Sequence, residues 1–125
     1  MNSTQGIINW NKERNLKVFN PIVALPLLLE ELDELRVAWK EQNVHETIDA
    51  LNDLRVLCTG ALWQLGQDPE LSLKQTVKEI SSRVIDPECE KERLAGTMTK
   101  WRKDPNQSKE TLYKANYNLS KRSIS

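Results

Sequence analysis

Residues 25–40 read Leu-Pro-Leu-Leu-Leu-Glu-Glu-Leu-Asp-Glu-Leu-Arg-Val-Ala-Trp-Lys, and this stretch decides the fold. Leu25, Leu28, Leu32, Leu35 and Trp39 recur at three- and four-residue intervals, the period of an α-helix with an apolar stripe. Set into the edge of that stripe is an acidic cluster, Glu30-Glu31-Leu32-Asp33-Glu34. A second segment repeats the arrangement: Asp49-Ala50-Leu51-Asn52-Asp53, with Glu46 a turn earlier and Leu54, Leu57 and Ala61 beyond. Glu31 and Glu34 are three apart and Asp49 and Asp53 four apart, so each pair leaves its helix from one face. Carboxylates at the margin of a buried stripe repel one another and lose hydration. A divalent cation removes that penalty, and hard oxygen donors on facing helices suit Mg2+ or Mn2+, which bind phosphate oxygens in turn.

Only Gln42-Asn43 separates the two acidic helices, so they are expected to be antiparallel neighbours with their acidic faces together. Gly60 lies on the same helix face as Glu46, Asp49 and Asp53. Its cost inside a helix is about 1 kcal/mol relative to Ala, which predicts either a close-packed neighbour or room for a ligand there. Outward from this hairpin, the pattern predicts a first helix over about 7–19. The second helix opens at Pro21, keeps Pro26 in its first turns and runs to about residue 40; the third covers 44–65. Gly66 and Asp68-Pro69 separate the third from a fourth that reaches about residue 84. Asp86-Pro87 break that helix, and 88–107 read as irregular apart from a short helix near 90–94. A last helix is expected over 108–121, capped by Ser108. No β alternation of useful length occurs. The expectation is an all-α bundle of four to five helices around a central antiparallel pair. It forms a single domain over 1–125, with a helical core at about 7–85 and an extension at about 86–125.

Composition narrows the function. Eighteen Lys and Arg balance eighteen Asp and Glu without a long block of one sign, so no electrostatic footprint for nucleic acid or a membrane surface is present. The longest apolar run, Ile22 to Leu29, contains Pro26 and falls well short of the ~20 residues of a membrane span. No signal-like segment opens the sequence, and Cys58 and Cys89 sit in settings unlike a disulfide framework, which together point to the cytoplasm. Apolar content is modest for this many helices, which predicts a core completed by oligomerisation. His45 is the single histidine, so Ser-His-Asp and Cys-His catalysis have no basis, and no Walker or dinucleotide glycine motif occurs.

The series Glu30-Glu31-x-x-Glu34, Asp49-Ala50-x-x-Asp53, Leu54 to Leu62 with its glycine, and Leu65-Gly66-Gln67-Asp68-Pro69 resembles the all-α nucleoside triphosphate pyrophosphohydrolases. That MazG-like group includes dimeric dUTPases and phosphoribosyl-ATP pyrophosphohydrolase, and the similarity runs from Leu28 to Arg83. One departure stands out: relatives carry a glutamate three residues before the final aspartate, where this chain has Ala50, so Asp49 or Glu46 would have to replace it.

The resemblance implies a Mg2+-dependent enzyme, with Mn2+ as a substitute, that splits a nucleoside triphosphate into monophosphate and pyrophosphate. Deoxynucleotides are the expected substrates, and the expected assembly is a homodimer or homotetramer. It implies metal ligands Glu31, Glu34, Asp49 and Asp53, with Glu30 or Glu34 taking a proton from the attacking water. Arg83, beside Ser82, and Lys100 and Lys103 in the loop Gly96 to Pro105 are the expected phosphate contacts. Trp10 is a candidate to stack on the base and Asn15 to read its edge, against a packing role for Trp10. The competing reading is a non-catalytic interaction module whose acidic face is simply solvated.

Overall fold

Asn43 does two jobs at the hinge of the molecule. In the computed structural model, which describes residues 1–123, five helices follow one another: α1 (Ser3–Glu13), α2 (Pro21–Lys40), α3 (Val44–Gln64), α4 (Pro69–Ser82) and α5 (Pro87–Ala95). At the end of α2, Gln42 turns into the left-handed region with φ 56°, its N–H meeting Trp39 O, while the Asn43 N–H meets Ala38 O at 2.9 Å. This is the Schellman closure of a helix C-terminus. The Asn43 side chain then caps α3 by accepting from the Glu46 N–H at 3.1 Å. One residue therefore stops one helix and starts the next, and α2 and α3 fold back on each other more extensively than any other pair.

The same closure ends α1, through Asn15 at φ 56°, and α3, through Gly66 at φ 86°. Its use at Asn15 explains a difference from expectation. The first helix covers 3–13 rather than 7–19: Asn2 caps it by accepting from the Gln5 N–H at 2.8 Å, and Asn15 reverses the chain before Leu16. The second to fourth helices lie within two residues of their expected ends. The fifth, Pro87–Ala95, extends the short helix expected at 90–94, because Asp86 caps it and Pro87 fits its first position.

The largest correction concerns residues 108–121, which form no α-helix but two 3₁₀ turns, 109–111 and 117–120, in an extended strap. Side chains of α4 take the backbone donors that a helix would have used. Ser82 Oγ accepts from the Tyr113 N–H, Glu79 from that of Ala115, and Gln75 from that of Asn116. Gln107 ties the start of the strap down, donating to Ser82 O and accepting from the Val84 N–H, both at 2.7 Å. Its end is held by Arg122, whose guanidinium lies over the Trp63 ring at 4.2 Å and donates to Trp63 O. Ser108 does cap, but only a single 3₁₀ turn.

The buried hydrophobic core among the described residues is small: Ala38, Ala50, Trp63 and Cys89. Ala38 and Ala50 let the hairpin helices approach closely. Leu25, Leu29, Leu32 and Trp39, spaced 4-3-7 along α2, are instead mostly exposed, as are Val44, Ile48 and Leu51 of α3. None of the described helices is long and apolar enough to cross a membrane.

Loss of the Asn43 cap should destabilise the whole molecule, since both hairpin helices depend on that turn. Asn43→Ala is expected to cost about 1 kcal/mol and lower the melting temperature by about 4 °C. Asn43→Ser should recover most of it, as followed by circular dichroism.

Candidate metal centre and adjoining cavity

Where α2 and α3 face each other, Glu31, Glu34 and Asp53 each bring one carboxylate oxygen within 4.8 Å of the other two. Glu31 and Asp53 are partly buried and Glu34 is exposed. The arrangement follows from the hairpin: Glu31 lies toward the seam, Glu34 comes from the next turn, and Asp53 projects from the opposite helix. Glu31 is the strained member. Its Oε2 is shut off from solvent and has no hydrogen-bond partner. Burial pushes its carboxyl from the ordinary 4.5 up to about 7, assisted by the Glu34 carboxylate, a hydrogen bond shared with Glu34, and the charges of Asp53 and Glu30. Such a group is a poor solution for a folded chain alone.

The geometry suits a divalent cation. Octahedral oxygens about 2.1 Å from Mg2+ are about 3–4.2 Å apart, so three oxygens within 4.8 Å need only small side-chain rotations to share an ion. The donor set is all oxygen, and the orphaned Oε2 of Glu31 supplies an acceptor that no described residue uses. An all-oxygen donor set of this kind could hold a hard cation better than a soft one.

A cavity of about 720 Å3 opens from this cluster, bounded by α1, the segment after it, α2 and α3. Glu31 and Asp53 form one end. Ile7, Leu16, Val23, Leu27 and Leu57 give it apolar walls, Trp10 stands at its side, and Asn11, Gly60 and Gln64 form a polar patch farther along α3. Its volume falls within the range of about 300–1,000 Å3 common for small-molecule sites.

The expected site residues divide accordingly. Glu31, Glu34 and Asp53 come together. Asp49 and Glu46 are exposed earlier on α3 and neither joins the cluster, while Glu30 is exposed beside it and acts on Glu31 through its charge. Trp10 lines the cavity, half exposed, with the Arg14 guanidinium over its ring at 4.1 Å. Asn15 is occupied in closing α1 and is not part of the wall. No lysine or arginine is among the lining residues. Arg83 pairs with Glu79 at 3.0 Å, Lys103 bridges to Ile85, and the Lys100 carbonyl faces Cys89.

Two wall residues escaped the sequence reading. Asn11, only 4% exposed, donates to Ile7 O at 2.9 Å and accepts from Gln64 Nε2 at 2.8 Å. Gly60 makes this possible, because a Cβ there would fall 3.0 Å from Asn11 Nδ2. The glycine thus serves a packed side chain from α1. The available signal was helical spacing: Asn11 follows Ile7 by four, and Gln64 follows Gly60 by four on the Asp53 face. No family model, characterised protein or solved structure matches this chain.

With a chelator present, stability should fall as pH rises from about 4.5 to about 7 and level off above, because the folded chain keeps a proton on Glu31 that the unfolded chain releases. Glu79, Glu90 and Glu110 are shifted downward, so their stabilisation is lost only at more acidic pH. Glu31→Gln should flatten the slope in thermal melts. A slope that survives this substitution would contradict the assignment.

Proposed function

We propose that this chain is a Mg2+-dependent nucleoside triphosphate pyrophosphohydrolase of the MazG-like kind, releasing pyrophosphate from nucleotides and favouring deoxynucleotides. The observation that carries the reading is the unpartnered, buried Glu31 oxygen in a three-carboxylate cluster at one end of a ligand-sized cavity. The acidic end fits metal-bound phosphates, and the apolar remainder fits a sugar and base. A solvated acidic face, by contrast, has no use for a carboxylate oxygen closed off from solvent.

In this reading Glu31, Glu34 and Asp53 hold Mg2+, or Mn2+ in its place. Such an ion, when bound, would supply charge neutralisation on the phosphates and lower the pKa of a water. Glu34, the exposed member, accepts the water's proton, and Glu30 holds negative charge near Glu31. Trp10 offers a face for the base. Hydrolysis of the α–β phosphoanhydride leaves the nucleoside monophosphate and pyrophosphate. A panel of NTPs and dNTPs with Mg2+ or Mn2+, assayed for pyrophosphate, tests the activity. Glu34→Gln and Asp53→Asn should each lower kcat by at least a hundredfold while leaving the helical circular dichroism spectrum intact. Near-normal turnover in either variant would sink the metal assignment.

The same reading includes a homodimer or homotetramer. The exposed stripe of Leu25, Leu29, Leu32 and Trp39 has the alternating spacing with which helices pair, and Val44, Ile48 and Leu51 of the antiparallel α3 are exposed as well. Seven such side chains at about 100 Å2 apiece approach the roughly 800 Å2 per partner of a stable interface. A second copy, offering the same face across a two-fold axis, is the matching occupant. Leu32→Glu is expected to shift the mass measured by light scattering toward the 14.4 kDa monomer. A parent protein that is already monomeric at micromolar concentration would refute the interface.

A further inference from the structure

The amide pair on the cavity wall has a fixed sense, and that sense leaves one acceptor over. Ile7 O can only accept, so the Asn11 atom 2.9 Å from it is the amide nitrogen, and Asn11 Oδ1 is the other atom. Oδ1 in turn can only accept, so the Gln64 atom 2.8 Å from it is Nε2. Gln64 Oε1 is the remaining group, and no donor among the described residues bonds to it. The ambiguity that usually attends amide side chains is thereby removed by a backbone carbonyl. Burial of Asn11, 4% exposed, and its seat against Gly60 keep the pair from turning over.

Position matters as much as sense. Gly60 follows Asp53 by seven residues, about 10 Å along α3 at 1.5 Å per residue. Helical side chains lean toward the N-terminus, so the Gln64 amide reaches back to the level of Gly60, where it meets Asn11. Between the acidic cluster and this amide lie the apolar side chains of Leu57, Leu27 and Val23. A ligand whose phosphates meet the carboxylate end would place its sugar and base along this wall.

We propose that Gln64 Oε1, oriented by Asn11, is a specificity-determining acceptor that reads an N–H donor on the edge of the base. The inference rests on the nucleotide reading above and deepens it by assigning the wall of the cavity. The ligand class is a heterocyclic base carrying an exocyclic amino or ring N–H group. A base without one leaves Gln64 Oε1 desolvated and unpaired, which costs affinity beyond the lost bond. Asn11 is a positioning residue: it fixes the glutamine without itself presenting the acceptor.

The test compares the best natural substrate with its analogue lacking the N–H donor, an unsubstituted purine or a 2-pyrimidinone nucleoside triphosphate. In the parent protein the analogue should lose about tenfold in kcat/KM, the equivalent of about one hydrogen bond. Gln64→Met keeps the length but not the acceptor, and should turn over the two substrates within about twofold of each other. Gly60→Ala, which pushes on Asn11, should narrow the discrimination in the same direction. Equal turnover of both substrates by the parent protein overturns the inference without any variant. Undiminished discrimination in Gln64→Met overturns it too, and in both cases pyrophosphate release leaves the broader activity standing. If no triphosphate is cleaved by the parent with Mg2+ or Mn2+, the pyrophosphohydrolase reading itself fails and takes this one with it.

Discussion

Three carboxylates held together without a counter-charge are the constraint around which this structure is arranged. Glu31, Glu34 and Asp53 converge because two helices carry them to a common seam, and burial drives the Glu31 carboxyl up to about 7. A chain selected only for stability would place leucine at position 31, as the surrounding apolar residues invite. Retaining an acid there is intelligible if folding supplies two of the three elements of a site and a cation supplies the third. The cost falls on the ion-free chain, and a bound ion would offset it by mass action.

The other features serve to hold that seam and the space beside it. Asn43 ends α2 and begins α3, so the facing of the two acidic helices is set by one turn. Ala38 and Ala50 permit close approach, and α1 closes the cavity through Asn11 against Gly60. On the far side, the strap over α4 contributes no residue to the cavity wall. It fastens α3 and α4 through Arg122 and Trp63, through Ser120 and Asp68, and through the Glu79 carboxylate. The cations expected to meet phosphates, Arg83, Lys100 and Lys103, are not among the residues of the wall.

How much of this was legible beforehand depended on whether the governing interaction was local. The hairpin was readable because leucines at helical spacing and a short Gln-Asn connection are local signals, and the acidic cluster followed from them. Three of the four carboxylates expected to group together do so, Glu31, Glu34 and Asp53. Asp49 did not, because a four-residue step along α3 moves it a turn away from the level of Glu31. The end of α1 was misjudged because Leu16 and Phe19 mimic a continuing apolar face, whereas the left-handed Asn15 decides the matter. Residues 108–121 were misread for a different reason: their backbone donors are captured by Gln75, Glu79 and Ser82, residues more than thirty positions away. The Asn11–Gln64 pair was hidden likewise, since it joins residues 53 apart in sequence.

The central claim is that the half-buried carboxyl of Glu31 belongs to a divalent-cation site, and calorimetric titration with Mn2+ at pH 7 in buffers of different ionisation enthalpy tests it most directly. With its carboxyl raised to about 7, Glu31 is partly protonated at that pH, so saturable binding should release protons. Asp53→Asn should abolish the saturable binding. Binding no tighter in the parent than in Asp53→Asn, or binding with no proton release, would contradict the account.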